Sequence, residues 1–239
     1  MGGSTREQPL DRRGAILRLG GLAAGALAGG AWGTRALRDA SDAEAAGAGP
    51  AAVAAGLVSC VLTPEQTAGP YFLEGDRVRR DITGGKPGVP LTLRLTVLDV
   101  STCRPVRGAA VDVWHCDATG AYSGVQGDTG RFLRGIQRTN AKGVAVFRTI
   151  YPGWYPGRTV HVHVQVALGG NVVHTGQLYF ADRVTDAVYR RAPYNRRPNR
   201  SPRNAGDSIY RNGGSRSTLR LVRSGAAYVG SIAMGVQRT

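Results

Sequence analysis

Residues 149–166 read TIYPGWYPGRTVHVHVQV and carry the most informative pattern in this chain of 239 residues. The segment ends in an alternating run in which His161 and His163 stand two positions apart between valines. Side chains of a β-strand repeat with a period of two, so both imidazoles leave the same face of a sheet, about 6 to 7 Å apart along the strand. This spacing suits two ligands of one metal ion.

A sharp loop is predicted immediately before these histidines, because prolines and glycines interrupt the chain twice. The loop presents four side chains beside the histidines: Tyr151, Trp154, Tyr155 and Arg158. Two histidines suit zinc, copper or iron equally well. Since no Asp or Glu lies close in sequence, the remaining hard donors are phenols. Tyr151 and Trp154 are either pocket walls or ordinary packing aromatics.

The remainder of the chain predicts an all-β fold, an antiparallel β-sandwich with long loops and little helix. Short apolar or alternating segments bounded by turn residues predict strands at 91–100, 109–116, 132–139, 144–150, 172–180, 219–224 and 227–236. We expect the first two strands to pair as an antiparallel hairpin. Only 64–67 and 182–191 are expected to be helical, and 193–214 is expected to form a long surface arm.

The N-terminal residues predict export. Arg12 and Arg13 precede a weakly apolar Gly/Ala-rich run, a pattern typical of a twin-arginine signal, with a disordered tail as the alternative. We assign residues 1–34 to the signal, 35–57 to an Ala/Gly-rich linker and 58–239 to the folded domain. No later run is long enough to span a bilayer, so membrane contact is expected only through the signal, which could also act as an anchor.

The formal net charge is +15, and only Lys86 and Lys142 are lysines. The arginines are scattered, without the aromatic interleaving of a nucleic-acid-binding face. We therefore expect no nucleic-acid partner, although the Arg-rich segment 190–203 could meet an anionic surface. The oligomeric state stays open, a homo-oligomer included.

Three cysteines, Cys60, Cys103 and Cys116, match no Cys-x-x-Cys zinc pattern. An exported protein is expected to contain one disulfide and one free thiol. The strand between Cys103 and Cys116 separates them, so Cys60 is expected to pair with either of the other two. His115 and His174 are interpreted as structural, and Asp112 and Asp117 as turn or surface carboxylates.

Several ordered motifs resemble those of the intradiol ring-cleavage dioxygenases. They are GAYS at 120–123, LRGIQRT at 133–139, the TIYPGWYPGRTVHVH run at 149–163 and QLYF at 177–180. The likeness covers residues 60–236 and is greatest to exported single-domain members related to the protocatechuate 3,4-dioxygenase β chain. The chain departs from the family at Ala68, where a Glu commonly precedes the Gly-Pro-Tyr that ends in Tyr71.

The resemblance implies a non-haem Fe(III) held on a β-sandwich by two tyrosinates and two histidines. Carried over by position, these ligands are Tyr122, Tyr155, His161 and His163. Arg158 would face the substrate and stabilise negative charge on its ring, Tyr155 would also act as a base, and Gln177 would support the site.

The implied reaction inserts both atoms of O2 between the two hydroxyl-bearing carbons of a catechol-type substrate, giving a cis,cis-muconate-type diacid. A secreted β-sandwich module that binds a metal or an aromatic ligand without turnover is the alternative. Neither residue type nor spacing specifies which catechol is used.

Overall fold

Eight strands form two four-stranded sheets in the computed structural model, which describes residues 60–125 and 127–238. The strands are β1 (Pro90–Asp99), β2 (Ala110–Trp114), β3 (Arg134–Arg138), β4 (Val144–Ile150), β5 (His161–Leu168), β6 (Asn171–Tyr179), β7 (Arg220–Ser224) and β8 (Ala227–Val236). One sheet has the order β4-β1-β8-β7 and the other β3-β2-β5-β6. The predicted β-sandwich is confirmed; the β1–β8 pair is parallel and the other pairs are antiparallel.

The core lies between the two sheets and follows the period-two pattern. On β1 the alternate residues Leu91, Leu93, Leu95 and Val97 are at most 2% exposed. On β5 the buried row is Val162, Val164 and Val166, each 0% exposed. Burying one such side chain contributes about 1.5 to 3 kcal/mol. These two rows therefore hold the sheets together and decide which face of β5 points outward.

The outward face of the β3-β2-β5-β6 sheet is covered by two segments from outside the sandwich. The first runs along β6, where the backbone of Gln66 donates to Thr175 O at 2.9 Å. The second lies before β7, where Leu219 N donates to Tyr179 O at 2.9 Å. The Gln66 amide joins the segments by donating to Ile209 O at 2.9 Å. These covers enclose the face from which the histidines of β5 project.

The predicted hairpin of the first two strands is wrong, because β1 and β2 lie in different sheets. The neighbours of β1 are β4 and β8, and those of β2 are β3 and β5. Alternation identifies the residues that face the core but does not specify which strand lies beside which, so local succession was a misleading guide.

The predicted helical turn at 64–67 is also wrong, since this segment contains no helix. Its polar side chains bond to β6 instead of capping a helix. The Glu65 carboxylate accepts from Thr175 N at 3.0 Å and lies 2.9 Å from His174 Nδ1. The other helix is confirmed as α1 (Asp182–Tyr189). None of the helices within 60–125 and 127–238 has the length and apolar character needed to cross a membrane.

The segment 193–214 is not a surface arm, because several of its side chains are buried. It forms 3-10 turns at Tyr194–Arg196, Asn204–Gly206 and Gly214–Ser217 around the short helix α2 (Ser208–Arg211). Its buried members include Tyr194, Asn204 and Asp207. The polar composition of the segment suggested exposure, but polar groups can be buried when they make hydrogen bonds, as these do.

A disulfide joins Cys60 to Cys103, with 5.5 Å between the Cα atoms, and Cys116 is a buried free thiol. Burial raises the pKa of Cys116 to about 12, so the thiol is inert at neutral pH. Structural disulfides are typical of oxidising compartments. The signal and linker expected at 1–34 and 35–57 lie outside the described residues, so export stays a prediction.

Asp112 and Asp117 are buried, not surface carboxylates. Asp117 Oδ1 accepts from Thr119 N at 2.9 Å and Ala121 N at 3.1 Å, and its Oδ2 pairs with Lys86 at 3.0 Å. Asp112 Oδ1 has no hydrogen-bond partner. Burial, with a further contribution from Asp76, raises the pKa of Asp112 to about 8.

Because the pKa of the buried Asp112 carboxyl is raised, we expect the folded state to lose stability as pH rises. Between pH ~4 and ~8 the folded chain keeps the carboxyl proton while the unfolded chain has released it, so folding becomes less favourable as pH rises. The free energy of unfolding falls as pH rises from 5 to 8, and Asp112→Asn should reduce this fall by on the order of 3 kcal/mol, as measured by urea unfolding. Exposed Glu74→Gln is the control, and parallel curves for Asp112→Asn and wild type would contradict the assignment.

Candidate metal centre and active site

The two histidines of β5 lie on the outward face, as the alternation predicts, and the sheet register places their neighbours. His163 stands between Trp114 of β2 and Gln177 of β6. The Trp114 indole stacks on the His163 ring at a centroid distance of 5.0 Å and an interplanar angle of 3°. His161 pairs with Tyr179.

The ring nitrogens converge. His161 Nε2 and His163 Nε2 are 3.1 Å apart. His161 Nδ1 lies 2.6 Å from Thr159 O, so that nitrogen carries the proton and Nε2 keeps its lone pair. Burial, then the neighbouring Arg158 cation, lowers the pKa of His161 to about 3. Burial also lowers the pKa of His163, so both rings are neutral at pH 7, the form that binds metals.

Two tyrosines approach the same point from separate loops. Tyr155 Oη lies 3.1 Å from His161 Nε2. The Tyr122 ring is edge-on to Tyr155 at 5.8 Å and lies 6.3 Å from His163 between centroids. Burial raises the pKa of Tyr155 to about 12 and also raises the pKa of Tyr122 well above its ordinary value. Tyr122 Oη is buried without a hydrogen-bond partner.

The loops of Tyr122 and Tyr155 are held together by close backbone contact. A side chain at Gly153 would collide with Asp117 O, and one at Gly120 with Trp154 O. Cys116 Sγ also donates to Gly153 O at 3.4 Å. The glycines of the two motifs are therefore needed where one loop packs on the other, and this packing brings the phenols to one side of the sheet.

Arg134 anchors the Tyr122 loop from beneath. It is 1% exposed, and its guanidinium donates to Ser123 O at 2.7 Å, Ser123 Oγ at 2.9 Å and Tyr71 O at 3.2 Å. Its charge is balanced by buried Asp76, 3.7 Å away. Tyr71, which this anchor holds, stacks on Tyr122 at 4.4 Å between centroids.

Arg158 and Gln177 also reach the site and contact each other. Arg158 Nη2 donates to Gln177 Oε1 at 2.5 Å, and Tyr179 Oη donates to the same oxygen at 3.1 Å. The Gln177 amide nitrogen donates to Thr67 O at 3.0 Å, which fixes the amide orientation. The Arg158 Nε edge pairs with Asp207 at 2.9 Å.

All six predicted site residues are therefore brought together, while the other candidates lie elsewhere. Tyr151 packs in the core on Phe180, and Trp154 carries the Arg197 guanidinium over its ring. His115 lies 2.7 Å from Thr149 Oγ1. His174 pairs with Glu65. Both histidines have structural partners, in agreement with their interpretation from the sequence.

Two contributors escaped the sequence reasoning. Asp207 sits in a segment interpreted as a surface arm, and a capping Asp before Ser208 was the one available signal. Arg134 belongs to the LRGIQRT motif at 133–139, but nothing in the sequence shows that an arginine at this position is buried.

The donor set fits a metal ion. Two ligands about 2.1 Å from one ion and roughly at right angles stand about 3 Å apart, close to the 3.1 Å of the Nε2–Nε2 and Oη–Nε2 pairs. A cation would also satisfy the unpartnered Tyr122 hydroxyl. Among the described residues no group of three or more His, Cys, Asp and Glu side chains could hold a metal. The phenols are the oxygen donors that lie beside the histidine pair.

Comparisons with known proteins agree with the β-sandwich fold. A family model described as "Dioxygenase" (Dioxygenase_C) matches residues 67–188. The solved intradiol ring-cleavage dioxygenase from Tetranychus urticae aligns with a TM-score of 0.72 and 34% identity, covering 74% of this chain and 95% of that one.

Curated relatives match over shorter lengths. Catechol 1,2-dioxygenase 1 of Acinetobacter lwoffii is 35% identical over 103 residues, 39% of this chain and 32% of the relative. Chlorocatechol 1,2-dioxygenase of Pseudomonas putida is 31% identical over 134 residues, 47% of this chain and 51% of the relative. The chain thus spans about a third to a half of these relatives.

The fold and site define a β-sandwich protein with a buried donor set of two phenols and two imidazoles. The family match extends over about half of the chain, from the segment that covers the site into α1. The chain belongs to the intradiol ring-cleavage dioxygenases, a family of oxidoreductases.

Metal content tests the histidine pair. His163→Ala removes one of the two converging nitrogens. We expect the bound metal per folded chain to fall at least about tenfold, because losing even a residue that only hydrogen-bonds to a metal ligand lowers metal affinity by about that factor. His174→Ala is the matched control, because His174 is equally buried on the neighbouring strand but pairs with Glu65. Equal metal loss in both variants, measured by mass spectrometry of the elements, would refute the assignment.

Proposed function

We propose that this chain is a non-haem Fe(III)-dependent intradiol dioxygenase that opens a catechol-type ring between its two hydroxyl-bearing carbons. The product would be a cis,cis-muconate-type diacid containing both atoms of O2. The observation that carries the proposal is the convergence of Tyr155 Oη, His161 Nε2 and His163 Nε2 with Tyr122 beside them. Family membership supports the same reaction class.

The proposed ligands are Tyr122, Tyr155, His161 and His163. Phenols ionise far above pH 7 unless a strongly Lewis-acidic cation favours the anion. Two phenolates and two neutral imidazoles leave roughly one positive charge on Fe(III) and favour ferric over ferrous iron. When bound, ferric iron supplies a Lewis acid that takes both catechol oxygens and makes the ring reactive toward O2.

Tyr155 is the better placed of the two phenols to exchange a proton with a substrate. Its side chain is partly exposed, whereas Tyr122 is 6% exposed and covered by the Tyr71 ring. Tyr155 Oη is thus the oxygen that an incoming diol reaches, and as a phenolate it is a base strong enough to accept a diol proton.

Arg158 supplies a fixed positive charge beside the histidines. Negative charge that develops on the substrate ring is stabilised by a cation already oriented in a water-poor site. Gln177 holds the Arg158 Nη2 edge, and Tyr179 holds Gln177. These hydrogen bonds fix the position of the Nη2 edge of the guanidinium.

Aromatic side chains form the wall beside the donors. Tyr71 stacks on Tyr122 and meets Tyr155 edge-on at 6.1 Å between centroids, and Phe72 packs on Trp114 at 5.1 Å. Such walls suit a flat aromatic ring and exclude water from one side. We propose a catechol ring as the substrate on this ground, without naming its substituents.

Oxygen uptake by the iron-loaded chain tests the proposal. A panel of catechol, protocatechuate, hydroxyquinol and bulkier diols should include at least one that consumes one O2 per ring and gives a product heavier by both oxygen atoms. Hydroquinone, whose hydroxyls are not adjacent, is the control and should not react. An iron-loaded, folded chain that binds catechols but consumes no O2 with any of them would support the non-catalytic binding module instead.

Tyr155→Phe tests the proposed dual role of this phenol. Losing one tyrosinate should weaken and shift the visible tyrosinate-to-iron absorption, and losing the base should lower kcat on the order of a hundredfold. Tyr151→Phe is the matched control, since its hydroxyl bonds to Thr185 in the core. An unchanged spectrum and rate in Tyr155→Phe would remove this residue from the site.

A further inference from the structure

Asp207 lies outside the matched family segment, and its side chain is 0% exposed. Its Oδ2 accepts from Arg158 Nε at 2.9 Å and from Thr159 N at 2.8 Å. Its Oδ1 accepts from Ile209 N at 2.8 Å and Tyr210 N at 3.1 Å and so caps α2. One carboxylate therefore serves four N–H donors, two from the site loop and two from a helix.

These contacts fix the guanidinium of Arg158 on two edges. Nε is held by Asp207 and Nη2 by Gln177. Neither of these two contacts uses Nη1. The guanidinium is planar and rigid, so two fixed nitrogens determine where the third one points. Gln177 alone would leave the group free to swing about a single hydrogen bond.

The same carboxylate reaches the histidine side through Thr159. Thr159 N donates to Asp207, and Thr159 O accepts from His161 Nδ1 at 2.6 Å. Thr159 Oγ1 also donates to Asn204 Oδ1 at 2.7 Å, from the same C-terminal segment. The segment 204–207 thus holds Thr159, whose backbone links the Asp207 carboxylate to the protonated Nδ1 of His161.

We propose that Asp207 is a positioning residue that orients Arg158 so that its Nη1 edge faces the substrate. The inference rests on the proposed function, because it concerns the residue assigned to stabilise charge on the ring. Asp207 touches neither substrate nor metal; it acts through Arg158 Nε and the Thr159 backbone. It places a catalytic requirement in the C-terminal segment, beyond the motifs that define the family.

Asp207→Ser separates this role from helix capping. Serine is a good helix N-cap, so α2 keeps its cap, but its shorter side chain puts no charged acceptor at Arg158 Nε. We expect kcat per bound iron to fall about 10- to 100-fold, with KM within about threefold, iron content unchanged and the visible absorption retained. Asp207→Asn keeps one carbonyl oxygen, so its kcat per bound iron should lie between those of Asp207→Ser and wild type.

Asp186→Asn is the matched control. Asp186 of α1 bonds to Arg200 at 2.9 Å and Arg203 at 2.8 Å, so it is also a carboxylate paired with arginine near the C-terminal segment. It contacts none of the site residues among those described. Its kcat should stay within about twofold of wild type, which is the behaviour of an ion pair with a purely structural role.

A double-mutant cycle decides whether Asp207 acts through Arg158. In the Arg158→Ala background, which should retain iron and colour, Asp207→Ser should lower kcat no further. Multiplicative losses, or a wild-type kcat in Asp207→Ser alone, would overturn the proposal. If Asp207→Ser does not fold, the same cycle with Asp207→Asn decides it by the same criterion.

A readout without turnover separates this inference from the proposed function. The full chain is labelled with 15N-arginine, loaded with diamagnetic Ga(III) and measured by NMR. The Arg158 Nε–H signal is the one that disappears in Arg158→Ala. This signal should shift or broaden in Asp207→Ser and stay unchanged in Asp186→Asn. An unshifted signal in Asp207→Ser would refute the positioning role. If the Arg158 signal shifts in Asp207→Ser but the iron-loaded protein reacts with no catechol, the positioning role stands and only the proposed reaction is refuted.

Discussion

The site depends on the alternation of valine and histidine along β5. Val162, Val164 and Val166 are fully buried between the sheets. Because side chains alternate along a strand, His161 and His163 project from the opposite face. A shift of the strand by one residue would place the imidazoles in the apolar core and the valines among the polar groups of the covered face, at a cost of several kcal/mol. Packing energy on one face of the strand thus secures donor geometry on the other.

The two phenols and Arg158 are delivered to that face from loops, and buried polar contacts set the position of these loops. Arg134 fixes the backbone of Ser123 and Tyr71 from below. Asp207 fixes Arg158 and Thr159 from the C-terminal side. Each anchor is a buried charge with a charged partner, an arrangement in which removing one partner leaves the other unpaired at high cost. Loops held in this way can present donors as rigidly as strands do.

Burial also prepares the donors for a cation. It lowers the pKa of His161 to about 3 and raises the pKa of Tyr155 to about 12, so the site holds neutral imidazoles and neutral phenols near pH 7. The imidazoles are ready to bind, whereas the phenols release their protons only to a strong Lewis acid. This asymmetry favours a highly charged ion over a weakly polarising one and supports the proposal of ferric iron.

Much of this protein follows from local sequence. The period-two pattern and the turn residues predict all eight strands within a few residues and place the histidine pair on one face. The motifs that resemble the family predict Tyr122, Tyr155, Arg158 and Gln177 as site residues. Pairing is different: β1 and β2 follow one another yet lie in different sheets, because alternation specifies a face and not a neighbour. The tertiary structure alone decided that Cys60 pairs with Cys103, that Arg134 is buried and that Asp207 meets Arg158. Each of these features depends on residues that lie far apart in the chain, so no local pattern specifies it.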